Sequence, residues 1–341
     1  MQDMNKLKNV IALLAIFLSA TATAVELKVA TLAPERTAWV QDMRKGAKEI
    51  KERTEGRVVV KLYVGGSQGD GEQVLRAIRT KRLHGGAFTP TDLQDRYSDV
   101  NIYGLPFLFE SQGEIAYVRE QLDEKLLQGL EEAGFISFGF TNGGFAFLMS
   151  NEPVRGLDDL KGKRVWVPEG DRISYAAMDA LKLSPVTLPI TDVMTGLQTG
   201  LIDIVAFPPT GTLALQWHTK VKYVTEMPIL FSMGLMAIDA KAFGRLSDGD
   251  QAIVQEVMSA IYAEFSRREP EENRNAKQAL INSGVQSVIP AEGEVERIRG
   301  IMEKTNRQLG EQGLFSMELY EELVGHIHDY RNQQADAVGA D

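Results

Sequence analysis

The sequence predicts an α/β fold of two lobes, a clamshell with crossing strands and a long bracing helix. Three observations carry this. Strand-like and helix-like segments alternate in two runs, one before and one after Asn142. Apolar stretches join the runs, where strands can hand over between lobes. One helical pattern, from Leu246 to Gly284, is long enough to touch both. Clefts between α/β lobes are preferred ligand sites, and hinge closure on a ligand is an established use of this architecture.

Each element follows from its pattern. "VELKVATLA" alternates as a strand does. "TAWVQDMRKGAKEIKERTEG" carries Trp39, Met43, Ala47 and Ile50 at helical spacing, and Gly56 ends it. "RVVVKLYVGG" is a β-branched strand closed by glycines. "GEQVLRAIRTKRL" is a helix. "VNIYGLPFLFES" is apolar and broken by Pro106. "QGEIAYVREQLDEKLLQGLEEAG" is a helix, and "FISFGFTNGGFAFLMS" is strand-like. The second run holds the strand "KRVWVP", the helix "SYAAMDALKL", the strand "PVTLPI", the helix "TDVMTGLQTG" and the strand "LIDIVAFPP". In the long helix Ser247 and Asp250 form a capping pair and Gly284 is a stop. Pro270 is expected to kink it or split it. The division expected is residues 25–141 and 229–268 for one lobe, and 142–228 and 269–335 for the other. Residues 336–341 form a frayed tail.

The amino end orders Lys6 and Lys8, an apolar run from Val10 to Leu18, and Ala22-Thr23-Ala24. That is the order of a secretory signal peptide over residues 1–24, cleaved after Ala24. The formal charge of -10 argues against a nucleic-acid partner. There are no cysteines, which excludes disulfides and cysteine metal sites. The histidines, at 84, 218, 326 and 328, have no carboxylate cluster at metal-ligand spacing, so no metal or cofactor is expected. "GGSQG" matches the G-x-S-x-G elbow around Ser67, with Asp203 and His326 later in the chain order of that hydrolase class. A plain strand-to-helix turn explains the same residues, and catalysis is the minor alternative.

"YVGGSQGDGEQVLRAIRTKRL", "YGLPFLFES", "GLDDLKGKRVWVPEGD", "VMTGLQTGLIDIVAFPP" and "LSDGDQAIVQE" occur in this order. Together they resemble the DctP-type solute-binding proteins of TRAP (tripartite ATP-independent periplasmic) transporters, over nearly the whole chain from Glu26. The resemblance implies a periplasmic-binding-protein clamshell that closes on a small organic molecule and delivers it to TRAP permease membrane subunits. It implies no catalysis. A receptor that presents its liganded state to a membrane sensor is the alternative within the same fold.

In that family, arginines usually hold a ligand carboxylate. One falls here on Trp166, in the "KRVWVP" strand; a second, after Asn142-Gly143, falls on Phe145. A ligand-contacting asparagine falls on Phe207, and a glutamate of some members falls near Thr89. Asp70 matches the family's turn aspartate. Phe88, Phe147 and Trp217 add apolar area nearby. The resemblance therefore makes Phe145, Trp166, Phe207, Asp70, Thr89, Asn142, Phe88 and Trp217 the candidate binding residues. Three polar contacts replaced by aromatics point to an apolar, aromatic or weakly polar ligand. A cation held over aromatic faces is the second choice. Aromatics on strands also serve as core, and the sequence leaves both roles open.

Overall fold

A computed structural model describes residues 24–339, so the expected export signal lies outside the described residues except for Ala24. The first run comprises β1 (Val25–Ala30), α1 (Ala38–Arg53), β2 (Val58–Tyr63), α2 (Gly71–Arg79), β3 (Gly85–Phe88) and the one-turn α3 (Pro90–Leu93). A 3-10 segment, Ser98–Gly104, leads to α4 (Gln112–Glu132) and the long β4 (Phe135–Ser150). The second run is α5 (Leu157–Leu160), β5 (Val165–Pro168), α6 (Arg172–Ala180), β6 (Pro185–Leu188), α7 (Val193–Thr199), β7 (Ile204–Phe207) and α8 (Pro209–Ala214). Then come β8 (Tyr223–Asp239), α9 (Ala240–Phe243), α10 (Asp248–Asn282), β9 (Gln286–Val288), α11 (Glu294–Glu311) and α12 (Met317–Gly339).

Short polar side chains set the helix starts. Thr37, Asp70, Ser111, Asp171 and Ser247 each accept the backbone N–H three residues on, satisfying a donor the helix leaves free. Hydrogen bonding joins the strands in the order β2-β1-β3-β8-β4-β7-β5-β6, with β9 on β8. The antiparallel β4 and β8 are the centre of that order and run from one lobe into the other. Their pairing shifts register near Phe140, Gly144 and Phe147. Such irregularities bend and twist a strand pair, which is what a crossing connection needs.

Four apolar clusters flank the sheet. Two cover the first run, under α2 and α4 on one face and α1 and α10 on the other. Two cover the second run, under α6 and α11 on one face and around Trp166 and Trp217 on the other. Helix α10 has 35 residues, about 50 Å at the helical rise. Tyr262 and Phe265 belong to a first-lobe cluster and Leu280 to a second-lobe cluster, so one rod braces both. Pro270 does not split it: the helix is continuous from Asp248 to Asn282. Proline at that point removes one main-chain donor, and the packed residues on either side hold the rest. Helix α12 runs to Gly339 and docks on α4 through Tyr117–Tyr330 ring contact and an Arg331–Glu114 bond of 2.8 Å, both before the expected tail at 336–341.

Candidate ligand-binding site

A cavity of about 530 Å³ lies between the two runs, within the range of small-molecule pockets. Asp70 and Gly71 at the start of α2, and Thr89 and Asp92 at α3, form one wall. Trp166 to Asp171 and the start of α6 form the facing wall, and Ala146, Leu148, Phe231 and Met233 of the crossing strands form the floor. The lips meet. Gln94 Nε2 donates to the Gly170 carbonyl at 2.5 Å, and Arg172 pairs with Asp95 at 2.5 Å. The ion pair is exposed on both sides, so it contributes little by itself.

Of the eight residues named from the sequence, four border the cavity: Asp70, Thr89, Trp166 and Phe207. Asp70 accepts the Gln73 N–H at 2.8 Å and starts α2. Thr89 donates through both its N–H and its hydroxyl to Asp92 Oδ2, each at 2.8 Å. Trp166 is only 4% exposed. Its indole N–H donates to the Leu188 carbonyl at 2.9 Å, and its ring packs edge-on against Phe207 and Trp217.

The other four have different work. Phe145 packs edge-on against Phe231, with ring centres 5.3 Å apart. Phe88 is buried in the cluster beneath α2 and α4. Trp217, 1% exposed, fills the second lobe beside Trp166. Asn142 is part of the crossing strand, where its side-chain oxygen accepts from Arg119 Nη1. Arg119 also donates to Ser266, Asp123 and the Phe140 carbonyl, so Asn142 ties β4 to α4. Trp166 belongs to the Trp217 cluster and Val165 to the cluster on the other face of β5, and Trp166, Val165 and Val167 all border the cavity.

The sequence reading missed several residues at the cavity. Asp92 sits with its carboxylate against the α2 start, where a Cβ on Gly71 would lie 2.1 Å from Asp92 Oδ1. A side chain there would displace the carboxylate, so the glycine is a close-approach residue. Burial pushes the carboxyls of Asp92 and Asp171 up from the ordinary aspartate range. "TPTD" carries the capping-box spacing that would have flagged Asp92. Arg79 and Arg96 line the same cavity as exposed side chains. Nothing in their spacing marks them.

Behind the cavity, α10 meets the crossing strand through a buried polar knot. Asn273 donates to the Gly143 carbonyl at 3.0 Å and to Glu269 Oε1 at 2.8 Å, and it accepts from the Thr210 hydroxyl at 3.1 Å. Glu269 is 3% exposed, and its Oε2 has no hydrogen-bond partner among the described residues. Burial pushes this carboxyl above the usual glutamate range, against the lowering effect of Asn273 and Gln112. The folded protein therefore holds the proton more tightly than the unfolded chain. The stability this contributes is complete below the unfolded pKa and is lost as pH rises through the folded one. Glu269→Gln is expected to melt about 1–3 °C higher than the parent at pH 7, with the gap closing toward pH 4. Calorimetry across that pH range checks it; a gap that widens on acidification refutes the assignment.

The hydrolase alternative does not assemble. Ser67 is an exposed residue of a turn in which Gly65, Gly66 and Gly69 all have positive φ. Asp203 is engaged by Arg164 through two bonds of 2.8 and 2.6 Å. His326 lies against Tyr117 on α4. The three groups serve separate places in the fold. No group of His, Asp and Glu arranged to hold a metal is present among the described residues.

Two α/β lobes facing one cavity, joined by crossing strands, define a solute-binding receptor. The profile of bacterial extracellular solute-binding protein family 7, DctP, matches residues 29–312, and the chain belongs to that family. It is thus a receptor and not an enzyme. Among curated relatives, the C4-dicarboxylate-binding periplasmic protein DctP of Rhodobacter capsulatus is 26% identical over 254 residues, covering 70% of this chain and 74% of that one. The fold matches the sugar acid binding protein DctPAm of Advenella mimigardefordensis in complex with galactonate, with a TM-score of 0.83 and 17% identity over 90% of this chain and 99% of that one. A TRAP periplasmic solute binding protein of Haemophilus influenzae with bound L-gulonate has a TM-score of 0.81 at 20% identity, covering 89% and 99%. The family is periplasmic, and no described helix is long and apolar enough to cross a membrane.

Proposed function

We propose that this chain is a periplasmic receptor of the TRAP type. It closes on a small organic molecule that is apolar, aromatic or weakly polar, and hands it to membrane permease subunits. The lobes divide as residues 25–141 with 229–268 and 142–228 with 269–335, with β4, β8 and α10 as the connections and α12, at the end of the second set, docked back on α4 of the first. One observation carries the ligand class: Phe145 and Trp166 occupy the positions where the family resemblance expects carboxylate-binding arginines, and neither brings a cation to the cavity.

The charge around the cavity supports the same reading. Asp70, Glu72, Asp92, Asp95, Glu169 and Asp171 line it, against Arg79 and Arg96. Glu72 and Asp95 are exposed and paired with Arg76 and Arg172, which leaves Asp70, Asp92, Glu169 and Asp171 beside two arginines, a balance that disfavours an anion. The carboxyls also keep a cationic ligand as the second choice, since an ammonium group would compensate Asp92 or Asp171. The structural neighbours named above hold sugar acids, so acids are the direct competing class.

Thermal-shift screening of a metabolite library tests this. A ligand at a hundred times its Kd stabilises by about 2.7 kcal/mol, a rise of about 5 °C for a chain of this size. Neutral aromatic or amine-bearing compounds should give that rise. If only dicarboxylates or sugar acids do so, the ligand class is wrong, and Arg79 and Arg96 become the anion-binding pair to mutate.

A further inference from the structure

The cavity is bordered by a polar side chain that the fold does not use. Asn101 belongs to the 3-10 segment Ser98–Gly104, whose Val100, Ile102 and Tyr103 are packed in the first-lobe core. Asn101 itself borders the cavity. It is only 7% exposed, yet no described residue donates to its side-chain amide or accepts from it. The fully enclosed polar atoms that lack a partner belong to other side chains. The Asn101 amide therefore keeps what little surface it has, and that surface faces the cavity.

The segment that carries Asn101 is held from several sides. The Tyr103 hydroxyl donates to Asp123 at 2.9 Å, and Asp99 accepts the Ser316 N–H at 2.6 Å. The Phe107 N–H donates to the Ile229 carbonyl at 2.7 Å, and a Cβ on Gly104 would lie 3.9 Å from the Phe231 carbonyl, so the chain runs close along β8. Phe107 takes a φ of +55°, a left-handed conformation that a bulky side chain disfavours. Strain of this kind persists where the surroundings over-determine the backbone, and it gathers at ligand clamps. Ser232 on β8 borders the same cavity, and its hydroxyl also bonds no described side chain.

Enclosure strips an amide of most of its hydration, and an amide left without a partner costs free energy. Folded proteins keep few such groups, and a rigidly placed one beside a cavity has a partner to gain there. We infer that Asn101 is the polar anchor of the binding site. It pairs with a neutral ligand group that both donates and accepts, a carboxamide or lactam, while the apolar part of the ligand rests on Phe107, Phe207 and Phe231. This rests on the receptor reading above and narrows its ligand class. An asparagine amide presents donors and an acceptor side by side, so a carboxamide can meet it through two bonds. A carboxylate can use only the donors, and it brings a charge that the amide does not neutralise. An ammonium group can use only the acceptor.

The test is calorimetric titration of the mature chain with three probes: 2-phenylacetamide, N,N-dimethyl-2-phenylacetamide, which has no N–H, and phenylacetate. The first should bind about tenfold more tightly than either of the others. Equal affinity for the two amides, or no binding of 2-phenylacetamide, overturns the anchor. Asn101→Leu removes the amide at nearly constant volume. It should abolish the preference between the two amides. The melting temperature of the ligand-free variant should stay within about 2 °C of the parent or rise, because no protein partner is lost. A merely structural asparagine would do the reverse, lowering the melting temperature and leaving the preference intact. If Asn101→Leu does not fold, Asn101→Ala removes the same group; a preference that survives in the folded variant overturns the proposal. A strong hit in the metabolite screen from a compound with no hydrogen-bonding group removes the anchor and leaves the apolar receptor site standing. A screen answered only by acids removes the ligand class itself.

Discussion

Trp166→Arg, the substitution that restores the family's arginine by sequence position, is expected to destabilise the protein by on the order of 5 kcal/mol and to gain no carboxylate binding. The indole is 4% exposed and packed against Phe207 and Trp217. Removing it leaves a large void in a cluster that includes Val193, Val205 and Val224. The guanidinium that replaces it enters apolar surroundings, and the described residues of that cluster supply no carboxylate partner. The Leu188 carbonyl, which now accepts the indole N–H, offers one acceptor for five donors. A fall in melting temperature of about 10 °C, with unaltered response to succinate, is the expected calorimetric result. A variant that melts within 2 °C of the parent and binds succinate would show that position 166 opens freely to the cleft.

Gly144→Val is expected to cost about 3–5 kcal/mol and to loosen the coupling between the lobes. Gly144 has φ of +95°, and an added Cβ would lie 2.4 Å from Asn273 Nδ2 and 2.7 Å from Glu269 Oε1. The strain of a β-branched residue in that conformation adds to the displacement of Asn273. Asn273 holds the Gly143 carbonyl and Thr210 together, so losing its position frees α8 and β4 from α10 at once. The melting temperature should fall by about 6–10 °C. Hydrogen exchange should show faster opening at residues 141–145 and 207–212 than in the cores beneath α4 or α6. Uniform acceleration across the chain would mean that Gly144 matters only for global stability.

The fold was largely legible before any coordinates. The alternation of strands and helices, the Ser247 cap and the Gly284 stop each follow from local chemistry that a sequence displays directly. Pro270 misled in part, because a proline's local cost says nothing about the packing that holds α10 together on both sides. The carboxyl end was legible as a helix but not in its placement: Tyr330 and Arg331 dock it on α4, and no local pattern reports a docking partner.

The site was legible only by position along the chain. Alignment to the family placed Asp70, Thr89, Trp166 and Phe207 at the cleft, yet the same logic also named Phe88, Phe145, Asn142 and Trp217, which do their work elsewhere. Side-chain identity and spacing state which residues are apolar and which face of a strand they share. They do not state how far an opposing helix stands away. By itself the sequence determined the two α/β lobes, the crossing strands and the membership of a receptor family. Only the tertiary structure decided that Trp166 and Phe207 border the cavity while Phe145 packs on Phe231. Local patterns set what each element is. A cleft is a distance between elements remote in sequence, and it exists only after they have packed.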